Sequence, residues 1–193
     1  MKKLYLCMGI SFFLLTAFIS MNSIYNSLTK NTLRLHVVAN SNSVQDQQLK
    51  LKVRDELLKE IDGLLPKQTD KSATTAILLR HRDLLLKSAK RVLEENNSND
   101  SLLLTYGKEY FPNKKYRNLS FPSGKYDAFK IIIGEGKGEN WWSVLYPSLC
   151  TPAIDKIEDE LKVINSNEND ILLRFKLMDY YYVLKEKMKL LGS

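Results

Sequence analysis

The feature that most constrains the fold is a change in the spacing of apolar residues near Leu102. Over the sixty residues before this point, apolar side chains recur mainly at intervals of three and four, which is the period of an amphipathic helix. After it, apolar and polar residues alternate and aromatic residues become frequent, as in β-strands. A chain with separate helical and strand regions predicts an α+β fold.

The helical region follows one predicted strand. Alternation over residues 33–39 predicts that strand, and the polar residues 40–43 then form a turn and a helix N-cap. Apolar periodicity predicts one helix over about 44–62 and a second over roughly 70–95. These helices each have one apolar face for packing against a sheet.

The second region predicts a meander and a final helix. The predicted strands lie at about 102–110, 115–120, 126–133 and 141–146, and an amphipathic pattern over 171–193 predicts a helix. Alternation places Phe129, Ile131 and Ile133 on one strand face, and Trp142, Val144 and Tyr146 on one face of the last strand. We therefore expect an antiparallel or mixed sheet of about five strands packed with two to three helices.

The N-terminus has the charge and hydropathy pattern of an export signal. Lys2 and Lys3 precede an apolar run from Leu4 to Met21. A run of this length suits either a cleaved signal peptide or a retained membrane anchor. The expected organisation is a signal peptide or membrane anchor at 1–23, a tether at 24–32 and a single α+β domain at 33–193.

Composition limits the classes of function. The net charge of +7 favours solubility and attraction to an anionic wall or membrane surface, and no Arg-rich run or aromatic stacking motif predicts nucleic-acid binding. His36 and His81 lie on different predicted elements, without Cys or Glu at ligand spacing. We therefore expect no metal, no cofactor and no catalytic residue.

The glycine-rich segment Gly134–Gly138 superficially suggests a phosphate-binding loop. It lacks the Walker spacing and the Ser or Thr after the lysine, so a shaped turn between strands is the favoured interpretation. Trp141 and Trp142 follow directly in a predicted strand, so one ring is expected to point inward and the other outward. The outward ring is a candidate contact for a partner.

Two stretches resemble the stage II sporulation protein R family. They are residues 33–55 (LRLHVVANSNSVQDQQLKLKVRD) and 111–150 (FPNKKYRNLSFPSGKYDAFKIIIGEGKGENWWSVLYPSLC), within a resemblance that covers about residues 30–150. The most specific piece is Gly134–Trp142, followed by Pro147 and Cys150. Family members often have Cys at the position of Ser143, so any pairing of that position with Cys150 does not carry over to this chain.

The resemblance implies a secreted signal rather than an enzyme. It implies export from the forespore into the intermembrane space between forespore and mother cell, with membrane proximity through the N-terminal segment. The implied partner is the membrane-embedded, aspartyl-type sporulation protease that processes the sigma factor E precursor, contacted on its extracytoplasmic side. A cell-envelope structural protein and a cell-wall-acting enzyme are the alternative hypotheses.

Three predicted loops, at 39–46, 121–124 and 134–142, are the candidate partner-binding surface. The candidate residues are Asn40, Ser41, Asp46, Phe121, Pro122, Gly124, Gly134, Glu135, Gly136, Gly138, Asn140, Trp141 and Trp142.

Overall fold

The computed structural model describes residues 2–66, 69–116 and 119–147, and these residues form a mixed α+β fold. The predicted helix at 171–193 and Cys150 lie outside the described residues. The helices are α1 Lys2–Asn31, α2 Val44–Leu64, α3 Lys71–Arg80 and α4 Arg82–Glu95. The strands are β1 Leu33–Val38, β2 Leu102–Phe111, β3 Lys114–Tyr116, β4 Leu119–Phe121, β5 Gly124–Ile133 and β6 Asn140–Tyr146.

The four longer strands form one mixed sheet in the order β2-β5-β1-β6. β1 pairs parallel with β5 and antiparallel with β6, and all of its residues are buried. β3 and β4 form a separate two-stranded antiparallel sheet. The described residues thus contain one strand more than predicted, because the segment expected to be a single strand at 115–120 is part of a β-hairpin.

The main hydrophobic core packs residues of the sheet against the helices. From the sheet it takes alternate residues of β1 and β5, including Phe129, Ile131 and Ile133, which confirms their predicted common face. From the helices it takes Val53, Leu57, Leu78, Leu85, Ala89 and others at helical spacing. Complete burial of one such aliphatic side chain contributes about 1.5–3 kcal/mol to stability.

A β-bulge changes the predicted face of the last strand. Leu33 lies opposite Tyr146, whereas the next residue, Arg34, lies opposite Val144. The extra residue on β6 shifts the alternation, as a bulge does. Trp142 therefore packs with a small cluster of Phe111, Tyr126 and Ala128, while Tyr146 packs against the main core. The prediction that Trp142 and Tyr146 share a face is wrong.

The helix predicted over 70–95 is interrupted at His81. The imidazole Nδ1 of His81 lies 2.9 Å from the carbonyl oxygen of Ile77, which also accepts the His81 backbone N–H. The backbone of His81, with φ −100° and ψ 20°, departs from the helical conformation, although its N–H and carbonyl keep their bonds to Ile77 and Leu85. The helical region consequently forms two shorter helices, α3 and α4.

The chain forms two compact units. One includes α1 as far as Lys30 and Pro112–Gly124, and the other includes Asn31–Phe111 and residues 125–147, and the division expected at 1–23, 24–32 and 33–193 stays a prediction. Residues 24–31 form the last part of α1, and Tyr25 and Leu28 on this part are buried. In the part of the chain that the structure describes, no helix is both long and apolar enough to cross a membrane.

Candidate partner-binding site

The candidate site lies where β1 ends, α2 begins and the loop between β5 and β6 crosses over. Because β5 and β6 lie on either side of β1, their connection has to pass the end of β1. The N–H of Lys137 donates to the carbonyl of Asn40 at 3.0 Å, and that of Gly138 donates to Ala39 at 2.9 Å. We call residues 39–46 and 134–140 together the loop cap. Eight of the thirteen sequence-predicted residues belong to it: Asn40, Ser41, Asp46, Gly134, Glu135, Gly136, Gly138 and Asn140.

Glycine is required in the loop cap by backbone conformation and by close packing. Gly134 has φ +56°, and a Cβ there would lie 2.3 Å from Oδ1 of Asn40. At Gly138 a Cβ would lie 2.2 Å from the backbone oxygen of Ser41. Neither position accepts a larger side chain without movement of its neighbours. The glycines thus let the two loops lie directly against each other.

The backbone N–H groups of the loop are used inside the protein. Each N–H from Gly134 to Glu139 donates to an acceptor of the chain. The acceptors, in order, are Ser101 O, Asn40 Oδ1, Ile133 O, Asn40 O, Ala39 O and Asn42 Oδ1. A phosphate-binding loop instead directs several such donors at its anion. The glycine-rich segment is therefore built as a packed turn, as its sequence predicted.

A carboxylate organises the other half of the loop cap. Asp46 accepts hydrogen bonds from the hydroxyl of Ser41 at 2.6 Å and from the amide of Asn40 at 3.2 Å. The Ser41 hydrogen bond is the main reason that the pKa of Asp46 lies below its usual value. Ser43 caps α2 by accepting the Asp46 N–H at 3.1 Å. Asp46 therefore remains ionised and fixes the turn at the helix N-terminus.

Lys50 links α2 to the loop between β5 and β6. Its side chain is buried, and Nζ donates to the carbonyl of Glu139 at 3.0 Å and to Oε1 of Gln47 at 2.6 Å. Burial lowers the pKa of Lys50, and the negative charge of Glu139 opposes this shift. This role of Lys50 is not apparent from the sequence, because a lysine among the charged residues of α2 has the pattern of a solvated face.

His36 supports Asn140 at the start of β6. Its Nε2 lies 2.7 Å from Oδ1 of Asn140, and its Nδ1 lies 3.9 Å from the carboxylate of Glu109. Burial is the main cause that lowers the pKa of His36. In the neutral ring, Nε2–H donates to Asn140. The sequence contains no signal for this hydrogen bond between β1 and β6, because the two residues are 104 positions apart.

The two tryptophans pack on different clusters, and neither ring is fully exposed. Trp141 packs against the main core, with the guanidinium of Arg54 4.9 Å from its ring centroid. Trp142 stacks on His36 at 5.8 Å between centroids. Both side chains are half-buried. One inward and one outward ring were expected, whereas the structure has two rings that are both partly buried.

Phe121, Pro122 and Gly124 are placed in the unit that includes α1. All three are buried, and a Cβ at Gly124 would lie 2.2 Å from the hydroxyl of Tyr25. The Tyr25 hydroxyl donates to the carbonyl of Ser123 at 3.0 Å. The close contact with Tyr25 explains why position 124 is a glycine. A role of Phe121, Pro122 and Gly124 in binding stays a prediction.

Ser143, at the position where family members often have Cys, is a buried residue of β6. Its carbonyl oxygen accepts a hydrogen bond from Nε of the fully buried Arg34 at 2.8 Å. This backbone contact does not depend on the side chain at position 143. The structure thus gives Ser143 a place in the interior of the sheet.

The outer surface of the loop cap is polar around one exposed apolar residue. Val44 is 74% exposed, and Asn42 beside it is also exposed. Glu135 and Lys137 form a surface ion pair at 2.6 Å with both side chains largely in solvent. Among the described residues no three His, Cys, Asp or Glu side chains are grouped to hold a metal ion.

Comparison with known proteins agrees with the two signature stretches. A family model for stage II sporulation protein R matches residues 29–156. The protein named stage II sporulation protein R from Bacillus subtilis (strain 168) is 38% identical over 118 residues, which are 61% of this chain and 53% of that protein. The chain therefore spans about half the length of this curated relative. No solved structure matches the chain.

Proposed function

Because the chain belongs to the stage II sporulation protein R family, we propose that it is an exported sporulation signal that activates a membrane protease. In this proposal the chain is made in the forespore and acts in the space between forespore and mother cell. It contacts the extracytoplasmic side of the aspartyl-type protease that processes the sigma factor E precursor. The chain itself catalyses no reaction, and residues 1–23 export it or hold it near the membrane.

The observation that carries this proposal is the pre-formed loop cap. Its backbone donors, the Asn40 side chain and the Asp46 carboxylate are all engaged within the chain, which fixes the shape of the outer surface. A surface that is already ordered loses little conformational entropy when it binds. The exposed groups of Val44, Glu135 and Lys137 can therefore be presented to the protease in one arrangement.

Activation by such a surface requires unequal affinity for two states of the protease. A ligand shifts an equilibrium only as far as its affinities for the two states differ. Conversion of a protease population from about 1% active to about 99% active needs a difference of roughly 5.5 kcal/mol. A rigid surface favours such discrimination, because it cannot adapt equally well to both states.

The enzyme hypothesis receives no support from the described carboxylates with altered pKa values. Asp46 is held ionised by hydroxyl and amide donors. Burial raises the pKa of Asp127, but hydrogen bonds and charges of Lys71 and Lys108 outweigh this effect and lower it. General acid catalysis instead calls for a carboxyl with a raised pKa.

Complementation of a sporulating strain tests the proposed function. The strain lacks its own copy of the gene and expresses this chain in the forespore, and processing of the sigma factor precursor is measured by immunoblotting. We expect the wild-type chain to restore processing and Glu135→Ala to reduce it while export is unchanged. Stable, exported wild-type protein without any processing would contradict the proposal.

A further inference from the structure

Outside the loop cap, β2 is the exposed edge of the four-stranded sheet. The sheet has two edge strands, β2 and β6, and the central residues of β6 are buried. On β2, by contrast, Leu103 is 51% exposed, Tyr106 41% and Tyr110 50%. β2 is ten residues long and pairs with β5 on one side, and among the described residues no strand lies along its other side, so another strand can pair there.

Protection against strand pairing is weak along β2. Edge strands are commonly guarded by charged residues or proline. The two charged residues of β2 are instead paired with its neighbour β5, through Lys108 to Asp127 at 2.9 Å and Glu109 to Lys130 at 3.2 Å. β2 contains no proline. The guanidinium of Arg82 donates a hydrogen bond to the backbone carbonyl of Leu104 on β2 at 2.7 Å.

A cavity lies between α4 and the start of this edge strand. Its volume is about 390 Å³, within the range of ligand pockets. Its lining comprises Leu86, Lys87, Lys90, Asp100, Ser101 and Leu102. Both lysines are exposed, Asp100 is the acidic residue of the lining, and the ion pair of Lys90 with Glu94 at 3.8 Å is a solvent-exposed one that holds the lysine only weakly. The cavity thus offers an apolar floor and a positively charged rim.

We propose that β2 and this cavity bind an extended, acidic segment of a partner protein, which adds a strand to the sheet. Main-chain hydrogen bonds along β2 supply affinity in strand addition, and pockets for alternate side chains supply specificity. One set of alternate side chains faces α4, so an apolar side chain of this set reaches the leucines of the cavity, and carboxylates two residues away on the same face meet Lys87 and Lys90. The inference does not depend on which protein supplies the segment.

The position of the cavity is compatible with a larger interface that includes the loop cap. Gly134 of the loop cap donates its N–H to the carbonyl of Ser101, which lines the cavity, at 2.8 Å. One partner can therefore contact both surfaces. The edge strand would bind through main-chain hydrogen bonds, whereas the loop cap presents side chains on a fixed surface. The two sites are therefore tested separately.

Fluorescence anisotropy with a defined peptide tests the strand addition. The probe is a fluorescein-labelled heptapeptide, Thr-Glu-Thr-Val-Thr-Glu-Thr, whose glutamates and central valine lie on one face of a strand, and it is titrated with the full chain. We expect it to bind at least about tenfold more tightly than a peptide with lysine in place of glutamate. Replacement of its central valine by proline removes a backbone donor and is expected to weaken binding by a similar factor. Equal binding of the acidic and basic peptides would overturn the proposal.

Charge reversal locates the site. Lys87→Glu/Lys90→Glu is expected to weaken binding of the acidic peptide by about fivefold or more. The matched control Lys59→Glu/Arg80→Glu makes the same change in net charge at exposed positions elsewhere, with an expected effect below about twofold. Equal effects of the two double variants would refute the assignment to the cavity.

Hydrogen exchange distinguishes the other occupants of the edge. In the free chain we expect fast exchange at the β2 amides that point away from β5, and protection when the peptide is added. Protection in the free monomer would mean that a segment of this chain already covers the edge. Protection that grows with protein concentration would mean that a second copy does so. Either result would overturn the proposal.

Discussion

Replacement of Gly138 by alanine is the most direct test of how closely the two halves of the loop cap pack. The new Cβ would lie 2.2 Å from the oxygen and 2.7 Å from the carbon of the Ser41 carbonyl, and 2.8 Å from Cβ of Ala39. Two of these atoms belong to the backbone, so a side-chain rotation cannot relieve the clash. The backbone of one loop has to move away from the other.

The expected cost of Gly138→Ala is about 1–3 kcal/mol in the free energy of unfolding, as for other insertions into well-packed sites. In a protein of this size each kcal/mol corresponds to a change of about 2–4 °C in Tm. Urea denaturation followed by circular dichroism measures the free energy, and differential scanning calorimetry measures the Tm. Both are read on the full chain.

Gly107→Ala is the matched control, because a Cβ at Gly107 on β2 would meet no atom within 4 Å. Alanine at this open strand position is expected to change the free energy of unfolding by less than about 0.5 kcal/mol, or to stabilise the protein slightly. If Gly138→Ala proves as stable as Gly107→Ala, the loops are not packed as described and the pre-formed surface loses its basis.

Three further predictions concern the groups that hold the loop cap together. Lys50→Met keeps the apolar stem, and it removes both the two hydrogen bonds of the ammonium and the cost of burying its charge, so the free energy of unfolding is expected to change by less than about 1 kcal/mol. Lys50→Ala also loses the packing of the stem and is expected to cost about 2 kcal/mol, so equal urea midpoints of the two variants would contradict this account. Asp46→Asn removes the charged acceptor of the Ser41 hydroxyl at a half-exposed site, and it is expected to lower the free energy of unfolding by about 1 kcal/mol in urea denaturation. An unchanged urea midpoint would contradict the described hydrogen bonds of Asp46. Because burial lowers the pKa of His36, its stabilising effect is present above about pH 6.5 and is lost as the pH falls. The stability advantage of wild type over His36→Gln should therefore shrink between about pH 7.5 and about pH 5 in urea titrations, and a constant difference would refute the neutral imidazole.

The fold class and most element positions follow from local patterns in the sequence. The apolar spacing in α2 and the alternation in β5 each have one dominant period, and the structure buries the expected residues such as Val53 and Ile131. Patterns of this kind report burial directly. They do not show where a β-bulge lies, and the predicted face of Tyr146 on β6 is therefore wrong.

The break at His81 and the β3–β4 hairpin were missed for a different reason. His81 lies within an otherwise continuous apolar pattern, and the interruption consists of its non-helical backbone angles, which this pattern does not reveal. Strand order is likewise absent from local patterns. Nothing in the sequence shows that β1 separates β5 from β6, although this arrangement makes the glycine-rich loop cross the end of β1.

The candidate site was predicted through residues with special backbone demands. Gly134 and Gly138 are recognisable in the sequence because only glycine permits such a turn and such close packing. The supporting residues Lys50 and His36 were not, because their roles depend on burial and on partners far along the chain. The half-buried state of Trp141 and Trp142 also depends on tertiary packing, and alanine substitutions there would disturb the core as well as the surface.

Direct binding to the membrane protease is the measurement that tests the proposed role of the loop cap most closely. The full chain is titrated onto the sigma-factor-processing protease in nanodiscs by biolayer interferometry. Val44→Asp changes the exposed centre of the loop cap, and an acidic residue in the first turn of α2 is compatible with the helix dipole. Leu79→Asp, at a 44% exposed position on α3, is its control. We predict saturable binding of wild type and of Leu79→Asp, with a loss of at least about tenfold for Val44→Asp. Equal affinity of all three proteins, or no binding of wild type, would contradict the account.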